Sequence, residues 1–270
     1  MKKEEIFIFT ALTKDNKKIS IEKAIPDEDY ICPACGKAVV VKAVKSNNVR
    51  THFAHKRNCL CFDDWKHDMS DWHFEWQSKF PIDSREVVVE KEGVVHRADV
   101  LIKNTVIEFQ HSPISGEEFE ARNSFYKNCG YRVVWLFDAA NKMKCDEDSE
   151  LVWKRKTTLF SSFKTPIDGL FIQNYLPNKE DILSLTSVDQ KEVLYRKTVL
   201  PIRPENFLKE FGGINDENVL SIVNIFEKTE EQNKINQIKA KKLAEEQRQA
   251  KVNEILNRKF RGANKRRRWL

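Results

Sequence analysis

The stretch His96-Arg97-Ala98-Asp99-Val100-Leu101-Ile102-Lys103-Asn104-Thr105-Val106-Ile107-Glu108-Phe109-Gln110 decides the fold. Val94 to Ile102 and Thr105 to Gln110 are apolar, largely β-branched runs around a two-residue Lys103-Asn104 break, the pattern of a β-hairpin. Alternation puts Val106, Glu108 and Gln110 on one face, Ile107 and Phe109 on the other, and groups Arg97 and Asp99 with Leu101. A register that sets Asp99 beside Glu108 brings two like charges together in a half-buried sheet, and a hard cation with oxygen ligands would relieve them. The spacing therefore predicts a divalent-metal site, Mg²⁺ or Mn²⁺, on Asp99 and Glu108. The same acids also fit a cluster of ion pairs, Asp99 with Arg97 and Glu108 with a lysine.

Working outward, the pattern predicts a helix over Ser70 to Phe80, a strand over Arg85 to Glu90, a helix over Gly116 to Asn128 and a strand over Arg132 to Phe137. A strand, a helix and a strand in that order imply a right-handed crossover onto one sheet. The fold class expected is α/β: a mixed-sheet core with a small β-rich unit before it and a long helix after it. Strands are further expected at Gly169 to Gln173, Ile182 to Ser187 and Glu192 to Leu200, with a short helix at Pro204 to Phe211. From Asn215 to Lys259 there is no Pro or Gly, so one long helix ending at Gly262 is expected. The corresponding domains are residues 1–62, 63–212 and 213–270.

A metal held by Asp99 and Glu108 would polarise a phosphodiester and lower the pKa of an attacking water, which is nuclease chemistry. Gln110, on the face of Glu108, would touch the water or the phosphate. Glu75 and Asp71, four apart on the preceding helix, are candidates to complete the shell, with His73 beside them. His96 and His111 flank the acids.

Composition limits the alternatives. At 270 residues and 40% apolar, the chain can hold one ordinary core plus appendages. It has no run of 18 apolar residues, and no apolar signal region follows Met1-Lys2-Lys3-Glu4-Glu5, so a cytoplasmic location without membrane partners is expected. Four of the six cysteines fall between Cys32 and Cys61. Cys32-Pro33-Ala34-Cys35-Gly36, followed by His52-Phe53-Ala54-His55, offers two thiolates and two imidazoles for tetrahedral zinc. Such a site would be structural, in place of the core that a unit of this size lacks. Cys59 or Cys61 stands as the alternative to a histidine ligand.

The net charge of +6 sits in the tail: residues 251–270 carry eight Lys and Arg against Glu254 alone, which leaves −1 on the other 250 residues. Arg266, Arg267 and Arg268, with Trp269 beside them, are therefore expected to neutralise phosphates without reading sequence.

The run His96 to Val100, then Val106 to Ser115, with Arg122, Tyr126, Val133-Val134-Trp135 and the CPxCG and His52-Phe53-Ala54-His55 motifs, resembles the competence protein CoiA-like family. That resemblance implies a restriction-endonuclease-like PD-(D/E)xK core behind a zinc-finger-like unit, and a protein acting on DNA in competence or recombination. It covers residues 5 to 140, follows the segment to 212 loosely and leaves out the basic helix. Gln110 stands where the wider superfamily has a lysine, so another group must stabilise charge on the phosphate. Arg122 and Tyr126, at i and i+4, are expected to grip it from a stripe opposite Phe119 and Phe125, with Arg97 and Ser112 as further contacts. The alternative places that pair against a strand or Trp135. The function expected is a metal-dependent DNA nuclease; the alternatives are a non-catalytic DNA-binding accessory of recombination or phage defence, working with other proteins, and a scaffold whose long helix holds a partner.

Overall fold

The apolar runs near the N-terminal end form five short antiparallel strands: β1 (Thr10–Leu12), β2 (Lys18–Ser20), β3 (Tyr30–Ile31), β4 (Ala38–Lys42) and β5 (His52–His55), in the order β2-β1-β3-β4-β5. The computed structural model describes residues 7–47, 49–56, 69–112, 114–138, 143–145, 151–153, 168–176, 179–185 and 200–266. Strands this short bury little surface. Their core of Ile8, Phe9, Ala11, Ile21, Tyr30, Cys32, Val39 and Phe53 is completed by Phe74, which belongs to the next element, helix α1 (Asp71–Ser78). Phe9 meets Phe74 edge-on at 5.6 Å, and the Arg50 guanidinium lies over the Phe74 ring at 4.4 Å. The small sheet thus borrows apolar area from the helix that follows it.

The main sheet has seven strands in the order β14-β13-β12-β9-β8-β7-β6. These are β6 (Arg85–Lys91), β7 (Val94–Ile102), β8 (Thr105–Gln110), β9 (Arg132–Asp138), β12 (Gly169–Leu176), β13 (Lys179–Leu185) and β14 (Leu200–Ile202), while β10 (Met143–Cys145) and β11 (Leu151–Trp153) pair as a separate hairpin. Helix α2 (Gly116–Asn128) carries the chain from β8 to the parallel strand β9, and β12 adds parallel to β9; the outer pairs are antiparallel. The hairpin that opens the sequence argument is present with the expected bounds, closed by Ile102↔Thr105 with Lys103 at φ +54°. The mixed α/β class is therefore as expected. Of the predicted strand Glu192 to Leu200, only Leu200 is among the described residues, and it opens β14.

One core of this sheet lies under α2: Val89, Ala98, Val106, Phe119, Tyr126, Val133, Trp135 and Phe137. Ser115 caps α2 by accepting the Glu118 N–H at 3.1 Å, and Ser70 caps α1 by accepting the His73 N–H at 3.2 Å. Helix α3 (Pro204–Phe211) starts on a proline and stops at Gly212, whose φ of +81° is a left-handed C-cap.

Two units divide the chain, 1–219 and 220–270. The second is helix α4 (Ile222–Arg266), whose first turn is held by Ser221, with Oγ accepting the Asn224 N–H at 3.3 Å. It starts later than Asn215 because 215–221 form turns, and it continues through Gly262. A lone glycine costs a helix about 1 kcal/mol, which the helix formers around it absorb. No described helix is long and apolar enough to cross a membrane.

Candidate active site and metal centre

Between β7 and β8 the ladder runs Ile102↔Thr105, Leu101↔Val106, Val100↔Ile107 and goes no further. On the other side of β7, Arg85↔Val100 and Val87↔Ala98 pair, while Glu86 and Asp99 between them do not, and Glu86 adopts φ +45°. Strict alternation fails at this point. Ala98 and Leu101, three apart, both pack on the α2 side, so Asp99 does not follow Leu101 as a regular strand requires. It turns instead to α1. Its Oδ2 accepts the Phe109 N–H at 2.9 Å, in place of a ladder bond, and its Oδ1 lies 3.1 Å from His73 Nε2. Gln77, one turn after His73, donates to the Asp99 carbonyl at 2.8 Å. Asp99, His73 and Gln77 are all buried.

Glu108 behaves as alternation predicts and faces α2. Its Oε2 accepts from Arg122 Nη1 at 2.9 Å, and Arg122 Nη2 donates to Glu118 at 2.6 Å. Arg122 is 3% exposed and Glu108 fully buried. Burial alone would lower the guanidinium pKa, but the charges of Glu108, Asp99 and Glu118 outweigh it and raise it above its ordinary value. Both acids of the hairpin therefore act on Arg122, although they point to different helices.

Several expected site residues take other places. Glu75 is exposed, because the α1 residues turned inward are His73, Phe74, Trp76 and Gln77. Asp71 also faces outward and pairs with Arg50. The α1 contribution to the site is thus a histidine and an amide, not an acid. Tyr126 lies in the core beside Phe119 rather than opposite it, since 119, 122, 123 and 126 form one buried stripe of α2. It is not placed to grip a phosphate. Arg122 shares the stripe and serves Glu108. Arg97 stands 3.4 Å from Glu86, and Glu86 accepts the N–H groups of Phe9 at 2.9 Å and Thr10 at 2.6 Å. Gln110 ends β8 half-buried, its amide donating to the Ser112 carbonyl at 2.6 Å. Arg266 ends the α4 backbone, and Arg267 and Arg268 lie outside the described residues.

The second site sits on the small sheet. Cys32 to Gly36 form the turn between β3 and β4, with Gly36 at φ +69° and its N–H on the Cys32 carbonyl at 3.0 Å. That left-handed glycine turns both thiols to one side. Pairing of β5 with β4, Val39↔His55, brings the imidazole to them, and Cys35 Sγ lies 3.2 Å from His55 Nε2. The ligand atoms of Cys32, Cys35 and His55 all fall within 4.8 Å of one another, and among the described residues no other group of three His, Cys, Asp or Glu does so. Two thiols and an imidazole suit zinc. His52 is not brought to this group. Three residues before His55, it takes the other face of β5, donates from Nδ1 to the Arg50 carbonyl at 2.8 Å and packs against Phe7 at 4.3 Å. Cys59 and Cys61 lie outside the described residues.

Sequence reasoning missed Gln77, Glu86, Gln173 and Asp138. Gln173 Oε1 accepts from the indoles of Trp72 and Trp76 at 2.6 and 2.7 Å, and Asp138 meets His111. Only Gln77 left a local signal, its i+4 spacing from His73.

Two family descriptions match the chain: "Competence protein CoiA, nuclease-like domain" over residues 74–212 and "Competence protein CoiA, N-terminal domain" over residues 13–62. No curated protein and no solved structure matches it.

Proposed function

Since the chain belongs to the competence protein CoiA family, with its nuclease-like domain and its N-terminal domain, we propose that it is a metal-dependent deoxyribonuclease whose site is built on Asp99 and His73, with Glu108 on the adjoining strand held by Arg122. The observation that carries this reading is the pair Asp99 Oδ1 and His73 Nε2, buried and 3.1 Å apart. Neighbouring ligands of an octahedral ion with bonds of about 2.1 Å are about 3 Å apart, so the two atoms suit adjacent places around a divalent cation. An ion bound there, Mg²⁺ or Mn²⁺, would polarise the scissile phosphate and lower the pKa of a bound water. The imidazole nitrogen favours Mn²⁺ over Mg²⁺.

The chain's own groups do the rest. The Phe109 N–H and Gln77 fix Asp99 from two sides, and Ser70 fixes the start of the helix that carries His73. Arg122 offsets two buried negative charges without reaching the substrate. Gln110, at the open end of β8, supplies amide donors and acceptors to the phosphate where the superfamily has a lysine cation. The three-ligand group on the small sheet holds zinc as a structural ion, and DNA is the partner, met in part by the basic tail.

Asp99→Asn is expected to abolish Mn²⁺- or Mg²⁺-dependent cleavage of single-stranded, duplex and branched DNA, lowering the rate by at least about 10²-fold, while the circular dichroism spectrum and DNA binding are kept. Wild-type protein that binds DNA but cuts no substrate with either metal would refute the enzyme. It would favour instead a DNA-binding accessory, a reading that Arg122 on Glu108 and the absence of a lysine at 110 already support.

A further inference from the structure

A second histidine–carboxylate pair lies outside the residues proposed to hold the metal. His111 Nδ1 lies 2.6 Å from Asp138 Oδ2. Facing a carboxylate oxygen, Nδ1 is the donor of this contact, which leaves Nε2 as the nitrogen that can accept a proton in the ring's other state. The two side chains differ in burial: that of Asp138 is 5% exposed and that of His111 43%. A bridge that served only to tie the strands would gain little here, because six register pairs from Thr105↔Arg132 to Gln110↔Phe137 already join β8 to β9. What the arrangement does provide is an imidazole open to solvent, oriented from behind by a buried acid.

Its place in the fold is also informative. His111 and Asp138 extend the Gln110↔Phe137 register by one residue, at the C-terminal ends of two parallel strands, where open α/β sheets bind their ligands. The His111 ring lies 6.2 Å from Trp72, which also meets Phe109 at 6.4 Å and directly precedes His73, the residue facing Asp99. Asp138 is in register with Gln173, the acceptor of both α1 indoles. The acid thus stands across the strands from the residue that binds the helix carrying His73.

We infer that His111 accepts a proton during phosphodiester hydrolysis and that Asp138 is the positioning residue that holds its tautomer. As water oxygen bonds to phosphorus, a water proton passes to His111 Nε2, the bond from phosphorus to the leaving sugar oxygen breaks, and that oxygen takes a proton from solvent. No redox partner is needed. The inference rests on the nuclease reading above and adds the group that activates the water.

The experiment measures single-turnover cleavage by full-length wild type, His111→Ala, Asp138→Asn and Asp99→Asn with Mn²⁺, each with and without added imidazole. His111→Ala is expected to lose about 10²- to 10⁴-fold in rate, the range for a lost proton-transfer group, with DNA affinity unchanged. Because the His111 side chain reaches solvent, imidazole in solution should restore at least about tenfold of that loss, which it would not do for a residue that only ties strands together. Asp138→Asn should lose rate in the same direction without rescue, since the ring is still in place in the wrong tautomer. A loss below about threefold in His111→Ala, or a loss that imidazole does not relieve, overturns the proposal. If wild type cuts, Asp99→Asn does not and His111→Ala does, only the role of His111 falls; if wild type cuts nothing, the nuclease reading falls with it.

Discussion

Replacing Arg122 with methionine tests the electrostatics of the centre most directly. The guanidinium is 3% exposed and makes contacts of 2.9 Å to Glu108 and 2.6 Å to Glu118. At an effective dielectric of about 20 each contact is worth about 6 kcal/mol of attraction, against a desolvation penalty of several kcal/mol per ion. The net value of the pair is therefore small. Breaking it is not, because Arg122→Met leaves Glu108 buried without the guanidinium that faces it, at a cost of about 3–5 kcal/mol. For a unit of 219 residues this corresponds to a fall in Tm of about 6–20 °C. Methionine fills similar volume, so lost packing adds little. Urea unfolding of wild type, Arg122→Met, Glu108→Gln and the double variant measures the coupling, and the double variant should be more stable than the sum of the singles by about 1.5–3 kcal/mol. Salt should hardly change the result, since buried charges are poorly screened. A cost below about 1 kcal/mol for Arg122→Met, or additivity within about 0.5 kcal/mol, would refute the reasoning.

Other outcomes follow from the same geometry. The protein should carry one zinc per chain; His55→Gln should lose it and melt earlier, whereas His52→Gln should keep it, and equal zinc loss in both by metal analysis would show that His52 ligates after all. Glu86→Ala strands two buried N–H groups of the small sheet and should cost about 2–5 kcal/mol in urea unfolding, while Glu86→Gln, which still accepts them, should cost less. Deleting residues 258–270 removes seven basic residues, so DNA affinity should fall and the slope of log K against log salt should flatten; an unchanged salt titration would exclude the tail from binding.

The elements of the central core were legible because their signals are local. A turn pair between β-branched runs, a serine ahead of α1 and of α2, and a glycine after α3 state their structure within a few residues. The face of Asp99 was not legible. Period-2 alternation assumes a continuous ladder, and here the ladder opens at the acid itself, with Glu86 in a left-handed conformation across from it. Glu75 was favoured because a metal shell prefers oxygen, yet the inward face of α1 is fixed by Phe74, Trp76 and Gln77, and this puts Glu75 in solvent. The buried stripe of α2 could have been read from the i, i+3, i+4, i+7 spacing of Phe119, Arg122, Asn123 and Tyr126. An arginine within such a stripe needs a buried acid as partner, and Glu108 was the acid available. Glu86, by contrast, bonds backbone 76 and 77 residues away, and nothing local encodes that.

The eight residues of α1 explain why the small sheet and the nuclease-like core belong together. A helix of this length is not stable alone, so its order comes entirely from what it touches. Phe74 completes the core of the small sheet, Trp72 and Trp76 share the carboxamide oxygen of Gln173, and His73 and Gln77 meet Asp99. Consecutive side chains, His73 and Phe74, thus serve two different cores. Any loss of packing in the small sheet loosens Phe74, and the rotation of α1 that Phe74 fixes is the rotation that sets His73 against Asp99. An ion bound by Cys32, Cys35 and His55 would in this way act on the geometry of Asp99 through packing, because the thiol turn, β5 and Phe74 lie in one apolar cluster and the helix is too short to absorb a shift at one end.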